Sequence, residues 1–355
     1  MARLGYRSGR FNDNSRWLGI QLFARLINTQ MYETFYGLKR GPFEITPDPA
    51  FLFATKRHNE ALAALYYGVR WRKGFVVLTG QVGTGKTLLL RCLLQLLKQS
   101  KDIAYAYVFN SRLTPTEFLQ YVVSDFGLPT AGKNKAELLF DLCNFVVNRG
   151  LNKLTTVLIV DEAHHLSVEA LEEIRLLTNL ETAEQKLLQI VLVGQPELDD
   201  KLDSVKLTQL KQRIAIRTHL EPLSFEEMQG YIQRRLQLVQ IKPESEPVFP
   251  AKTIGAIYRH SRGIPRLVNT ICENALISAY AKQMPTVTPE IVDEVAKDFR
   301  LNMVRPLEAE KTSGLDEIDL QRAARILLDL YSSMQKPLVH ETAAPAPITA
   351  RFKQA

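Results

Sequence analysis

The chain is poor in cysteine: its 355 residues hold three, Cys92, Cys143 and Cys272. No C-x-x-C pair exists, so neither a zinc site nor a disulfide framework is indicated. All three lie in stretches that read as helices, where small buried side chains are expected. Long apolar runs are also missing, and none approaches the ~20 residues of a membrane-spanning helix. The basic start is not followed by a clean apolar core and a small-residue cleavage site, which argues against a secretory signal. These absences point to the cytosol. Net charge is scarce over most of the chain, although charged residues make up an ordinary 23% of the whole. Five of the seven net positive charges fall in the first forty residues, where Arg3, Arg7, Arg10, Arg16, Arg25, Lys39 and Arg40 face only Asp13 and Glu33. The remainder is close to neutral, so composition makes little case for nucleic-acid binding by it.

What is present is a glycine loop. Gly80-Gln81-Val82-Gly83-Thr84-Gly85-Lys86-Thr87 fits G-x-x-x-x-G-K-[ST], a phosphate-binding pattern. Phe75 to Thr79 before it reads as a short buried strand, and Leu88 to Leu97 after it as a helix. Strand, loop and helix in that order are what the chemistry needs. Gly80, Gly83 and Gly85 let backbone N–H groups turn inward. The helix adds the positive end of its dipole, Lys86 reaches the β- and γ-phosphates, and Thr87 holds Mg²⁺.

The rest of the chain divides into four parts. Residues 1–30 read as a basic extension in which Trp17 to Asn28 forms a short amphipathic helix, suited to a membrane surface or a partner, or else as a mis-assigned start before Met31. Residues 31–222 alternate helices with apolar strands at Phe75–Thr79, Ile103–Phe109, Val157–Asp161, Ile190–Gly194 and Ile214–His219. That pattern gives an α/β fold with a doubly wound parallel sheet. Residues 223–303 read as a small all-helical domain, with helices at about 225–239, 251–260, 265–282 and 289–299. Ser224 and Glu227 make a capping box, and Pro265 and Pro289 start helices, the latter after Thr288 as cap. Residues 304–355 read as one more helix and an Ala/Pro-rich disordered tail.

A phosphate loop alone hydrolyses nothing. Val157 to Asp161-Glu162 supplies an acidic strand end, with Asp161 on Mg²⁺ and Glu162 as general base for water. His164 and His165, just after, read as helix-start or surface residues. Gln195 ends another strand and is placed to sense the γ-phosphate, since ligands bind at the carboxyl ends of such sheets. Arg213 is the first choice, and Arg217 the second, for a cation projected into a neighbouring subunit's site. Arg266 sits in the first turn of a helix, an unfavourable place for a cation unless it faces a phosphate.

Together these residues resemble the AAA+ ATPases, and more narrowly the ExeA-like (general secretion pathway protein A) group, over about residues 31–300. The resemblance also rests on Met31 to Leu38, Pro42-Phe43, Ile45 to Pro49 and Gly194-Gln195-Pro196-Glu197-Leu198. It implies a P-loop NTPase core with a helical lid, binding ATP with Mg²⁺. The phosphate contacts would come from Gly80 to Leu88. Gln195 would be the first sensor, Arg213 a trans-acting finger and Arg266 the lid sensor. The segment near Phe43 and Pro49 would lie by the adenine, with His58 to Val69 as the following helix. Larger members continue into a membrane span and a periplasmic peptidoglycan-binding region that this sequence does not display. The likeness is therefore greater to short members associated with pilus or secretion machinery, such as the MSHA pilus biogenesis ATPase.

The expected function is ATP hydrolysis at a subunit interface in a homo-oligomer, coupled to a protein component of a secretion or pilus system. Residues 1–30 would contact the inner-membrane surface. A DNA-binding regulator of the transposition type shares this core and is the nearest rival. An ATP-gated scaffold with little turnover is another. A helicase, which Asp161-Glu162-Ala163-His164 brings to mind, would need a second α/β motor where residues 224–300 read as helical.

Overall fold

The computed structural model describes residues 32–109, 113–241 and 247–301. The expectations for residues 1–30 and 304–355 lie outside these. Five strands, β1 Phe75–Gly80, β2 Ile103–Val108, β3 Thr155–Val160, β4 Leu188–Gly194 and β5 Ile214–Leu220, form one sheet in the order β2-β3-β4-β1-β5. Every pairing is parallel. β1, β3 and β4 are buried at every residue, as central strands covered on both faces must be.

Period-two alternation splits the apolar residues between the two faces. Val76, Leu78, Val157, Ile159, Val191 and Val193 pack beneath α1 Lys56–Arg70 and α2 Lys86–Lys98. Phe75, Val77, Leu158, Val160, Ile190 and Leu192 face α3 Pro115–Asp125, α4 Lys135–Leu151 and α5 Val168–Leu177. The short helices α6 Glu197–Leu202 and α7 Thr208–Lys211 lead from β4 to β5. The expected doubly wound sheet is therefore observed.

β3 and β4 begin two residues earlier than the apolar pattern predicts, because their polar first residues find partners. Thr156 Oγ1 accepts from Arg149 Nε at 3.2 Å. The buried Gln189 side chain accepts the Gly74 N–H at 2.8 Å and donates to Lys186 O at 2.9 Å. A buried polar group costs little once it is bonded.

After β5 the strands stop. The helices α8 Phe225–Val239, α9 Ala251–Ser261, α10 Pro265–Ala281 and α11 Pro289–Asp298 surround an apolar cluster of their own. The Ser224–Glu227 capping box forms, whereas Thr288 occupies its N-cap without a side-chain cap bond. One grouping differs from the sequence reading. Tyr32, Tyr36, Leu38, Phe43 and Phe51, assigned there with the sheet, pack in the helical cluster. Tyr32 OH donates to Glu273 Oε1 at 2.7 Å, Tyr36 OH to Met284 O at 2.9 Å, and the Lys39 N–H to Val239 O at 2.8 Å. All but Leu38 are aromatic, and both faces of the sheet are already covered by α1 to α5.

Candidate functional site

The strand order places β4 between β3 and β1. Their carboxyl ends therefore deliver Asp161-Glu162, Gln195 and the glycine loop to one edge of the sheet. In the loop Gly83 and Gly85 have φ of +83° and +103°, where a side chain would be strained. Gly85 is the N-cap of α2 and brings no side-chain cap, so the first-turn N–H groups are left for an anion. Helices α3, α4 and α8 instead close their first turns with capping boxes. Lys86 is buried, and its Nζ donates to Gly80 O at 2.7 Å and Gln81 O at 2.9 Å. Burial lowers its pKa, and the nearby Glu162 and Asp161 carboxylates act in the opposite direction. Thr84 Oγ1 donates to Gln81 O at 2.8 Å. Gly80, Gln81 and Thr84 thus shape the loop, while Val82, Gly83, Gly85, Lys86, Thr87 and Leu88 line the cleft.

Thr87 Oγ1 donates to Asp161 Oδ2 at 3.3 Å, and Tyr107 OH to the same oxygen at 3.1 Å. Asp161 is buried, and that burial raises its pKa. A carboxylate in that position gains from an adjacent cation. A hydroxyl and one carboxylate are also what Mg²⁺ takes when phosphates and water complete its shell, so these residues fit the ion. Among the described residues no group of three or more His, Cys, Asp or Glu could hold a metal unaided. Glu162 follows in the left-handed region at φ +51°, an uncommon setting for a non-glycine residue and one that clusters at functional sites.

Gln195 and Glu162 both line the cleft. Between them stands His164, its side chain only 8% exposed. Its Nδ1 is 3.3 Å from Glu162 Oε2, and its Nε2 is 2.9 Å from Gln195 Nε2. The sequence reading gave His164 as a helix-start or surface residue; it does lie in a short 3₁₀ helix, Ala163–His165, but its side chain is turned inward. Burial, then the neighbouring His165, lowers its pKa.

Arg266 enters from the helical region. Its backbone N–H donates to Gly83 O at 3.2 Å, and a Cβ on Gly83 would fall 2.8 Å from Arg266 Cβ. The first turn of α10 therefore rests on the phosphate loop. Away from the loop the cleft is lined by Ile45, Thr46, Pro47, Asp48, Tyr231, Arg235 and Asn269. The segment near Phe43 and Pro49, expected by the adenine, thus gives Ile45 to Asp48 to the cleft wall, while Phe43 itself is buried in the helical cluster. Arg235 is buried, donates to Pro42 O at 2.6 Å and stacks over Phe51 and Tyr231 at 4.7 and 5.0 Å.

The two finger candidates sit differently. Arg217 pairs with Asp199 and Asp203, each at 3.3 Å. Arg213 lies at the opposite end of the sheet from the glycine loop, beside Gly74 and Lys186 at the start of β1, and has no ion-pair partner among the described residues. It cannot reach the cleft of its own chain.

Sequence reasoning missed Tyr107, His164, Arg235 and His58. His58 Nδ1 is 2.7 Å from Thr55 Oγ1, and its Nε2 is 3.3 Å from Thr84 O, so it braces the loop from α1. The histidine after Asp161-Glu162-Ala163 was the one signal on offer. Nothing local marks the other three.

A glycine loop, an acidic strand end and a polar sensor on adjacent parallel strands, under a helical region, define a P-loop nucleotide-binding protein of the AAA+ class. Residues 69–202 match the AAA domain family model. The chain is 47% identical over 254 residues to general secretion pathway protein A of Aeromonas hydrophila. That match spans 71% of this chain and 45% of the relative, so the chain accounts for less than half of that protein. In fold it is similar to the ORC2 protein of Aeropyrum pernix (ADPNP-ADP complexes), with TM-score 0.55 and 19% identity over 73% of this chain and 72% of that one. It is likewise similar to Cdc6p of Pyrobaculum aerophilum, with TM-score 0.54 and 18% identity over 82% and 86%. The chain belongs to the AAA+ ATPases, in their ExeA-like (general secretion pathway protein A) family.

Proposed function

We propose that the chain binds Mg²⁺ and ATP in this cleft and hydrolyses the γ-phosphate. The observation that carries the reading is the meeting of Lys86, Thr87, Asp161 and Glu162 at one sheet edge, with Thr87 Oγ1 3.3 Å from Asp161 Oδ2. The loop N–H groups and Lys86 hold the phosphates, and Thr87 and Asp161 hold the ion. Bound there, Mg²⁺ supplies charge neutralisation on the β- and γ-phosphate oxygens. Glu162 takes a proton from water as its oxygen attacks phosphorus, and the bond to the β–γ bridging oxygen breaks. Gln195 and Arg266 contact the γ-phosphate. Arg213, free of internal ion pairs among the described residues, serves the site of a neighbouring copy. The site is then complete only in an oligomer.

The kinship with general secretion pathway protein A supports a role in assembling or remodelling an envelope secretion or pilus machine, on the cytoplasmic side of the inner membrane. Among the described residues no helix is long and apolar enough to cross a membrane. The test is phosphate release by the purified chain and by Glu162→Gln. The variant should bind ATP with the parent's affinity and lose turnover by about a hundredfold or more. Undiminished turnover would remove Glu162 from the role of base.

A further inference from the structure

His58 is the third residue of α1 and is buried against the phosphate loop. Gly83, Gly85 and Lys86 line the cleft, and His58 does not. Both of its ring nitrogens have settled partners. Nε2 is 3.3 Å from Thr84 O, and a carbonyl only accepts, so a proton sits on Nε2. Burial lowers the pKa of the ring and keeps it neutral at pH 7, which leaves a lone pair on Nδ1. Thr55 Oγ1, 2.7 Å away, donates to that lone pair. As N-cap of α1 the same oxygen accepts the His58 backbone N–H at 3.2 Å. The bonds therefore run one way, from Thr55 O–H to Nδ1 and from Nε2–H to Thr84 O.

The second of these bonds fixes a peptide plane. The Thr84–Gly85 bond is trans, and in a trans amide the C=O and N–H point in opposite directions. Drawing Thr84 O to His58 thus turns the Gly85 N–H the other way, into the loop. Among the described residues that N–H has no backbone acceptor. It stands at the N-cap of α2, where an anion would be received. Backbone sterics alone do not hold the plane. Turning it over would carry Gly85 from φ +103° into ordinary negative φ, and would aim a carbonyl oxygen at the phosphates. The ring lies directly against this residue, since a Cβ on Gly85 would be 3.4 Å from His58 Nε2.

We propose that His58 is a positioning residue for phosphate binding, which holds Thr84 O so that the Gly85 N–H stays aimed at the nucleotide's phosphates. Thr55 belongs to the device, because its O–H selects the Nε2–H tautomer. The Gly85 contact is made to bound nucleotide and to transition state alike, so His58 acts on affinity and not on the chemical step. The inference rests on the phosphates lying in the loop, as proposed above.

The test uses the full-length chain and calorimetry with ATP, ADP and adenosine. His58→Ala should weaken ATP and ADP about ten- to a hundredfold, the worth of one hydrogen bond to a charged group, and leave adenosine within about twofold. In turnover, KM should rise by the same factor while kcat stays within about twofold. His58→Gln carries an N–H₂ to the reach of Nε2 and should recover ADP affinity to within about threefold of the parent. His58→Leu, of comparable bulk and without a donor, should stay as weak as His58→Ala. In the parent, ¹⁵N imidazole shifts should report a proton on Nε2 and none on Nδ1, with or without ADP. That measurement stands even where a variant fails to fold.

Parent-like ADP affinity in His58→Ala beside weak binding by Lys86→Ala would overturn the role of His58 and leave the loop assignment intact. Equal losses for ADP and adenosine, no recovery in His58→Gln, or a ring protonated on Nδ1 alone would overturn it too. Parent-like affinity in Lys86→Ala would instead overturn the reading beneath it.

Discussion

Gly263 is where the helical region is pinned to the end of the sheet. Its φ is +73°, and a Cβ built on it would lie 2.0 Å from Leu223 O, 3.0 Å from Leu223 C and 3.2 Å from Leu223 N. The two backbones are also bonded, the Leu223 N–H donating to Gly263 O at 2.9 Å. Gly263→Ala therefore incurs three costs. The left-handed conformation costs about 1–2 kcal/mol. Forcing two backbone segments apart by an ångström costs about 1–3 kcal/mol. The lost hydrogen bond costs about 1 kcal/mol. The sum, about 3–6 kcal/mol, is a large share of the roughly 5–15 kcal/mol that stabilises a native protein. Gly127→Ala is the control, because Gly127 has φ +78° and nothing within 4 Å of its added Cβ. It should lose only the conformational part, about 1–2 kcal/mol. Urea midpoints of the two variants at unchanged m-value give the comparison. Arg266 lies three residues beyond Gly263 with its N–H on Gly83 O, so ATP affinity should fall in Gly263→Ala and hold in Gly127→Ala. Equal midpoints for the two variants would refute the steric reasoning.

Lys86→Ala should weaken ATP binding by two orders of magnitude or more, since two charged contacts to phosphate are worth about 3–6 kcal/mol; near-normal affinity by calorimetry would contradict the loop assignment. Arg213→Ala should lose turnover while the separated chain still binds ATP. Arg217→Ala should change stability by no more than about 1 kcal/mol and leave turnover alone, its ion pairs being partly exposed. Burial lowers the pKa of His58 below its ordinary 6.5, with its contacts to Thr84 O and near Glu227 opposing the shift. The unfolded chain then binds a proton first as pH falls, so this contribution is whole above pH 6.5, shrinks below it and levels off beneath the folded pKa. The parent's stability advantage over His58→Gln should therefore narrow between pH 7 and pH 5 in urea titrations, and a constant gap would count against it.

The central strands were legible because a strand covered on both faces must be apolar throughout, and Val76-Val77-Leu78 and Val157 to Val160 leave little other reading. The phosphate loop and Asp161-Glu162 were legible because their chemistry demands fixed residue types at fixed spacing. Tyr107 and Arg235 were not, since each is an ordinary residue on its own element and gains its role from a partner 54 or 193 positions away. His164 was hidden for another reason. Its own stretch looks like an exposed helix start, and only the approach of β4 at Gly194 buries it. The grouping of Tyr32 and Phe43 with the helices failed on the same ground, because aromatic side chains state a need for cover without naming its source.

That grouping has a consequence for the chain as it is made. Tyr32 waits for Glu273 across 241 residues, and Tyr36 for Met284 across 248. At about 5–20 residues per second, the ribosome takes roughly 12–50 seconds to supply the missing partners. Until α8 is made the aromatic opening segment has no helical cover, and until α10 follows that cover is incomplete. Nascent chains should be most vulnerable to aggregation and to proteolytic nicking ahead of the first strand, and that vulnerability should fall once α10 and Met284 beyond it have emerged. The same event brings Arg266 to the glycine loop. Protection of the opening segment and competence to close over nucleotide therefore depend on the same stretch of chain.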